Sequence, residues 1–182
     1  MLFRLSQQLA TKIKVGNLHG MPLDPNPYAD WSCHLFTVKR TQYIILSNTQ
    51  SLYSVVMSGK GITDRLRFVA EAVTHIQTFM EDDGQAFVHQ RFFSPATNAA
   101  TFGKALNRSV TGSINDLIRF AKYGLDEREV PPHAVGFELN DVLLSALGDG
   151  KSRPYGRPKE TFKLLANGIN PIGDVRRPGP EA

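Results

Sequence analysis

Cysteine is nearly absent from this sequence: Cys33 is the only one in 182 residues. A lone cysteine forms no disulfide within the chain and cannot join other cysteines around a zinc ion. Long apolar runs are also absent, since no stretch approaches the roughly 20 apolar residues of a membrane-spanning helix. Residues 1–14 contain neither a long apolar segment nor a small-residue cleavage site, which argues against a secretory signal. We therefore expect a cytoplasmic protein that makes no contact with membranes.

Signatures of catalysis and of metal binding are missing as well. None of the five histidines has a partner at a metal-ligand spacing such as HExxH. Cys33 and His34 are neighbours on an expected strand, so their side chains point to opposite faces and cannot form a nucleophilic pair. A packed, hydrogen-bonded His34 is the better interpretation. With no paired carboxylates or activated nucleophile, the sequence favours a protein that is not an enzyme, and it predicts no catalytic residue, metal or cofactor.

The best-patterned stretch runs from Trp31 to Gly59 and predicts a three-stranded meander over 31–58. Strands at 31–38, 43–47 and 52–58 are joined by polar turns at 39–42 and 48–51, which are short enough to force antiparallel pairing. Both faces of the first strand carry large apolar groups, so we expect layers packed on each side. A short strand at 2–5 precedes the meander. The predicted fold is α+β, with a three- to four-stranded, mainly antiparallel sheet packed with helices.

Helical periodicity appears on both sides of this sheet. Ser6 predicts the cap of a short first helix. A long helix after the meander has Thr63 as its expected cap and the cluster Glu81, Asp82 and Asp83 at its end. That cluster indicates either a solvated end or a contact with a cation or basic partner. The expected apolar stripe of this helix comprises Ile62, Leu66, Val69, Val73, Ile76 and Met80.

Three further segments complete the expected body of the protein. Residues 85–93 predict a helix or an irregular packed segment, and 94–103 predict a loop. A helix from Ser109 to Gly124 has an apolar face of Val110, Ile114, Leu117, Ile118 and Ala121. Asn140 is the expected cap of a last helix that extends to Leu147 and buries Val142, Leu143, Leu144 and Leu147.

The positive charge is concentrated at the C-terminal end. Residues 1–150 hold 14 basic and 14 acidic side chains, whereas 151–182 hold 7 basic and 3 acidic ones. We expect one α+β domain over 1–150 and a flexible basic tail over 151–182, rich in Gly and Pro, partly disordered and little buried, with a short helix around 159–166. Regularly spaced cations with interleaved aromatic residues are typical of phosphate contact. The candidate nucleic-acid contacts are Lys151, Arg153, Arg157, Lys159 and Lys163, although a merely solubilising tail explains the same pattern.

A second candidate site lies at the start of the helix near Ser109. Unpaired N–H groups at a helix start attract anions, and small residues there let a phosphate or carboxylate approach. The candidate anion-binding residues are Arg108, Ser109, Gly112, Ser113 and Asn115. The alternative is plain capping, by Ser109 or by a capping box of Ser113 and Asp116.

Three short patterns together give a family resemblance. They are W-x-x-HLF at 31–36, N-x-x-x-x-Y-S-V-V at 48–56 and RSV-x-GS-x-ND at 108–116. With the opening LFRLSQQLATKIK, they resemble a family of small bacterial proteins described only as a domain of unknown function, over roughly residues 1–125. The resemblance implies an α+β fold, and it transfers no substrate, cofactor or catalytic residue.

These observations favour a non-enzymatic binding module whose target is nucleic acid or a protein partner. The alternative is an enzyme that acts on a phosphorylated or carboxylated small molecule at the 108–116 helix start. The sequence leaves the oligomeric state open.

Overall fold

The computed structural model of the protein describes residues 1–149 and 152–168. A five-stranded sheet with strand order β4-β3-β2-β1-β5 forms its centre. The strands are β1 (Leu2–Leu5), β2 (Asp30–Val38), β3 (Thr41–Asn48), β4 (Ser54–Ser58) and β5 (Thr101–Lys104). The α-helices are α1 (Gln7–Lys12), α2 (Arg65–Asp82), α3 (Ala86–Val88), α4 (Arg108–Asp126), α5 (Pro132–Asn140) and α6 (Pro158–Leu164).

The antiparallel meander is confirmed, but the sheet as a whole is mixed. β2 pairs with β3 from Trp31–Asn48 to Val38–Thr41, and β3 pairs with β4 in the same sense. β1, however, is parallel to both β2 and β5. The expected mainly antiparallel sheet of three or four strands is therefore wrong in part, because short turns reveal only the pairing of neighbours in sequence. Residues 6–29 are a connection long enough to return β2 parallel to β1.

Apolar layers cover both faces of the sheet. On the first face, Trp31, Ile44 and Val55 pack with residues of α1, α2 and α6. On the second face, Phe36, Ile45 and Val56 pack with residues of α4 and α5. This arrangement agrees with the large apolar groups on both sides of β2, because alternate residues of a strand point to opposite faces.

The two long helices agree with their sequence patterns to different degrees. In α4 the apolar face is confirmed: Val110, Ile114, Leu117, Ile118 and Ala121 are all buried. α2 starts later than expected, since Asp64 and not Thr63 caps it by accepting a bond from the N–H of Arg67 at 2.9 Å. Its buried face is also rotated, because the sheet takes the side that carries the bulky rings. The buried residues of α2 are Phe68, Ala72, Ile76, Phe79 and Met80.

Two expectations about the second half of the chain are wrong. Residues 94–103 are not a loop, because they contain a 3₁₀ helix, Ser94–Asn98, and then β5. Asn140 ends α5 instead of starting a helix, and Leu143 is exposed. The Asn140 side chain accepts a bond from the Ser54 N–H at 2.7 Å and donates one to the Ser54 carbonyl at 2.9 Å. It thereby takes the place of a neighbouring strand at the outer edge of β4.

The opposite edge of the sheet is covered by the connection between α1 and β2. The N–H of Lys104 donates to the His19 carbonyl at 2.9 Å, and the Arg4 guanidinium donates to the carbonyls of Met21 at 3.0 Å and Pro22 at 2.7 Å. This connection thus accepts a hydrogen bond from one backbone N–H of β5 and lies against the edge strand.

The C-terminal segment is part of the core. The helix expected around 159–166 is confirmed as α6 and a following 3₁₀ turn, Leu165–Asn167. Phe162 is 0% exposed and stacks on Tyr53 at a centroid distance of 4.2 Å. The Tyr28 hydroxyl donates to the Phe162 carbonyl at 3.0 Å. The expectation that little of 151–182 is buried is therefore wrong for α6. The last dozen residues, where disorder was expected, lie outside the described residues.

None of the helices within 1–149 and 152–168 combines the length and apolar character of a membrane span.

Candidate functional site

The start of α4 is capped by a residue other than those expected. The Asn107 side-chain oxygen accepts a bond from the N–H of Val110 at 2.9 Å. The Ser113 hydroxyl instead donates to the Ser109 carbonyl at 3.1 Å, so capping by Ser109 and the capping box are both wrong. An added Cβ at Gly112 meets nothing within 4 Å, and the space beside it is open. Asn107 uses one of the free N–H groups of the first turn, and anion binding at this turn stays a prediction.

Four of the five candidate anion-binding residues nevertheless share an exposed stripe. Arg108, Gly112 and Asn115 follow one another at helical spacing on the side of α4 that faces away from the sheet, and Ser109 is exposed beside them. Ser113 is half-buried. The structure thus brings most of this set together on one surface.

The tail candidates do not form a free basic array. Lys159 lies 2.5 Å from the Asp83 carboxylate, and Arg157 lies 3.4 Å from Glu160 and donates to the Asp141 carbonyl at 3.2 Å. Arg153 and Lys163 are exposed and make no ion pair within the described residues. Lys151 lies outside the described residues. Only two of the five candidate contacts are therefore seen to be available to a ligand.

The acidic cluster at the end of α2 holds basic groups from three later segments. Glu81 lies 3.4 Å from His89, Asp82 lies 3.0 Å from His133, and Asp83 contacts Lys159. Asp83 also accepts a bond from the Tyr53 hydroxyl at 2.8 Å, and burial, with the nearby carboxylate, raises the pKa of Tyr53. Glu81 and Asp82 are about half exposed, which agrees with a solvated end, whereas Asp83 is buried against a basic group of the same chain, Lys159. The cluster is thus a junction that fixes α6 and α5 to α2.

Buried polar residues form a strip across the second face of the sheet. The strip runs from β1 through the amino-terminal half of β2 to the end of β3 and the start of β4. Arg4 and Asp30 form a two-pronged ion pair with both N···O distances at 2.8 Å. The hydroxyls of Ser32 and Thr49 are 2.9 Å apart, and those of Ser47 and Ser54 are 2.7 Å apart. These groups satisfy one another, which is the condition for burying them without a large desolvation penalty.

His34 continues this strip and is not satisfied in the same way. It is 6% exposed, and its Nε2 atom has no hydrogen-bond partner among the residues described. Burial lowers the pKa of His34 to about 4. Cys33 is buried on the opposite face, and burial, helped by the charge of Asp30, raises the pKa of its thiol. The adjacent pair therefore cannot act together, and His34 is packed as expected but lacks the expected hydrogen bond at Nε2.

One charged surface was not predicted from the sequence. β1, β2, β4 and β5 run in the same direction. The segments that follow them therefore meet along the border of the sheet where the carboxyl ends of these strands lie. Basic residues occur in each of these segments or at its start. We call this set the carboxyl edge: Lys12 and Lys14 after β1, Lys39 and Arg40 after β2, Lys60, Arg65 and Arg67 after β4, and Lys104 and Arg108 at the end of β5 and the start of α4.

Most cations of the carboxyl edge have no acidic partner. Lys39 pairs with Asp126, whose hydrogen bond and charge raise the pKa of the lysine, with smaller effects from Glu127 and Glu129. Lys12 donates to the neutral Gln42 side chain at 2.6 Å. Within 1–149 and 152–168, the other seven members make no ion pair. The strand directions needed to recognise this edge depend on the parallel pairs of β1, which the sequence did not reveal.

Among the described residues, no group of three or more His, Cys, Asp or Glu side chains is placed to hold a metal ion.

A family model described as Domain of unknown function (DUF6933) matches residues 2–161. The chain belongs to this family. The match confirms the resemblance seen in the sequence and extends it through α5 and into α6. It brings no assigned activity with it. A search of curated proteins found no match.

Proposed function

We propose that this member of the DUF6933 family is a nucleic-acid-binding module and that the carboxyl edge is its contact surface. The observation that carries the proposal is the convergence of basic side chains from four separate segments at one edge. A phosphate backbone is the polyanion that such a surface fits, because its charges are regularly spaced and releasing its counterions favours binding. The expected cytoplasmic location accords with such a target.

Stability alone does not account for where these cations lie. Arg65 and Arg67 occupy the first turn of α2, and Arg108 is the first residue of α4. A positive charge in the first turn opposes the helix dipole and costs about 0.3–1 kcal/mol at an exposed site. A bound phosphate reverses the sign of this interaction, since anions are favoured at helix starts. The three arginines are thus placed unfavourably for the free protein and favourably for an anionic ligand.

Acidic groups near the β2–β3 turn restrict the expected contact surface to the other part of the carboxyl edge. Asp126 neutralises Lys39, and Glu127 and Glu129 lie near that lysine. Asp64 is committed to capping α2. We therefore expect the strongest contacts to come from Lys60, Arg65 and Arg67 and not from the β2–β3 turn.

The test compares two double charge reversals with the same change in net charge. The Arg65→Glu/Arg67→Glu variant alters the carboxyl edge, and the Arg153→Glu/Lys163→Glu variant alters two tail cations that make no ion pair among the described residues. Binding of fluorescein-labelled duplex DNA and single-stranded DNA is measured by anisotropy across a salt series. For the parent, log affinity should fall with log salt with a slope of about −0.9 per phosphate contact on duplex and about −0.7 on single strands.

We expect the edge variant to lose affinity and to show a salt slope smaller by about two contacts, while the tail variant keeps both. Loss confined to the tail variant would move the site to Arg153 and Lys163 and contradict the edge. No binding of either DNA by the parent at low salt would remove the nucleic-acid proposal, and the alternative of a protein partner would then take its place.

A further inference from the structure

The outer face of α4 runs along the carboxyl edge. Its first residue, Arg108, follows β5 at that edge, and its last residue, Asp126, pairs with Lys39 in the β2–β3 turn. Lys39 also donates to the Asp126 carbonyl at 3.3 Å. The helix thus begins after β5 at the carboxyl edge and ends against the β2–β3 turn at the same edge.

The exposed face of α4 carries two aromatic rings. Phe120 is 52% exposed and Tyr123 is 58% exposed. They are three residues apart in α4, so their side chains are neighbours on one side of the helix. The Arg128 guanidinium lies over the Tyr123 ring at 5.5 Å from its centroid. Burial of the apolar face of α4 does not require either ring, since Leu117, Ile118 and Ala121 supply that face.

Both cations and carboxylates lie near the two rings: Asp116 and Asp126 pair with Arg119 and Lys39, and Glu127 follows Tyr123 by four residues. Arg108, Gly112, Asn115, Arg119 and Tyr123 recur every three or four residues and form one exposed stripe. Lys122 is exposed and makes no ion pair among the described residues. Arg119 has only an exposed partner, Asp116, at 3.2 Å, and such a pair is weak and easily exchanged for a phosphate. Arg108 and Lys122 therefore supply positive charge on the side of α4 that carries the exposed Phe120 ring and the Tyr123 ring, one face of which Arg128 covers.

We propose that this stripe of α4 is a stacking platform for unpaired bases, so that the nucleic acid bound by the protein is single-stranded. This inference rests on the proposed function. Proteins that bind single strands combine a basic track for the backbone with aromatic side chains on which successive bases stack. Arg108, Arg119 and Lys122 supply the track, and Phe120 and Tyr123 supply the rings. In a duplex the bases are already stacked on one another, so exposed rings add nothing comparable.

The experiment uses the full chain and an oligothymidylate of about 16 nucleotides, the upper end of a single-domain site, with a duplex of equal length alongside. The Phe120→Ala/Tyr123→Ala variant should bind the single strand at least about five-fold more weakly per lost ring, with an unchanged salt slope because no charge is removed. Affinity for the duplex should stay the same. Phe87→Ala is the matched control, since Phe87 is 72% exposed but lies in α3, away from this stripe.

A second variant reports on stacking directly. Phe120→Trp keeps an aromatic ring and adds an exposed fluorophore, whereas the native Trp31 is fully buried. Stacking with thymine should quench the new emission on titration with the single strand, and the duplex should quench it little. Near-parent affinity of Phe120→Trp, against weakened Phe120→Ala, would show that the ring itself matters.

Four results would overturn the inference. The alanine variant could bind the single strand as the parent does; if the Arg65→Glu/Arg67→Glu variant still loses affinity, the proposed function stands and only the platform is wrong. Equal losses on single strand and duplex would also contradict stacking. A shift of the parent from dimer to monomer on removal of the rings would show that a second copy of the chain covers them. If the parent binds no DNA at low salt, both proposals fail together.

Discussion

His34 is held neutral inside the sheet, and this makes the protein sensitive to acid. The imidazole is buried, its Nε2 atom lacks a partner within the described residues, and its pKa is lowered to about 4. An unfolded histidine titrates near 6.5. As pH falls below that value the unfolded chain takes up a proton that the folded chain does not, so the free energy of unfolding declines until the folded pKa is reached.

The pKa values of His34 in the folded and unfolded states differ by about two and a half. We therefore expect His34 to lower the free energy of unfolding by about 3 kcal/mol between pH 7 and pH 4. His34→Leu should remove that part of the pH dependence, because no group titrates at the site. Chemical denaturation at a series of pH values measures it. The control is His19→Gln, which replaces an exposed histidine. An equal decline in parent and His34→Leu would mean that other groups cause the acid sensitivity.

At the scale of single elements, residues of α2 that belong to one apolar sequence pattern differ in their burial. Leu66 and Ile76 both belong to the apolar stripe expected from the sequence. Leu66 is 76% exposed, whereas Ile76 is 0% exposed in the core on the first face of the sheet. Val73, which the stripe placed against the sheet, is half-buried. The rotation of α2 follows from Phe68 and Phe79, whose rings fill more of the core than the branched residues of the stripe.

Truncation of the Leu66 and Ile76 side chains in α2 should have very different effects on stability. Ile76→Ala removes buried methyl groups and leaves a cavity, so we expect a loss of about 2–5 kcal/mol. Leu66→Ala should change stability by no more than about 0.5 kcal/mol, as is usual for surface substitutions. Urea denaturation of both variants measures the difference. Comparable losses at both sites would place Leu66 in a contact that the described residues do not show.

At the scale of the whole molecule, the C-terminal segment closes the core on the first face of the sheet. Phe162 contacts the rings of Tyr28, Trp31 and Tyr53, and the Ala166 N–H donates to the Tyr28 hydroxyl at 2.9 Å. Lys159 adds its ion pair with Asp83. Residues far apart in the chain therefore depend on α6 for their packing.

Deleting residues 151–182 should leave a protein that does not fold cooperatively, although the sequence suggests a dispensable tail. Phe162→Ala alone should cost about 3–5 kcal/mol, since it empties a fully buried aromatic site. Lys163→Ala, an exposed neighbour on α6, is the control and should be close to neutral. Thermal melting followed by circular dichroism measures all three. A cooperative melt of the deletion variant at the parent temperature would restore the interpretation of 151–182 as a tail.

The sequence by itself determined the features that depend on near neighbours. The meander, the apolar face of α4 and the short C-terminal helix follow from local alternation, helical spacing and turn residues, and the family match follows from short motifs in the same stretches. The opposed directions of Cys33 and His34 were predictable for the same reason, because the side chains of a strand alternate. These properties need no knowledge of what packs against the element.

Only the tertiary structure decided the features that join distant segments. The parallel pairs of β1 with β2 and β5 set the strand directions, and these gather Lys14, Lys60 and Lys104 at one edge. Composition showed a basic tail and a neutral body, yet packing places Lys159 against Asp83 and exposes cations at the carboxyl edge. Charge summed along a chain carries no information about distance in space. Burial of α6 was equally hidden, because whether a short apolar helix packs depends on the surface that other segments build for it.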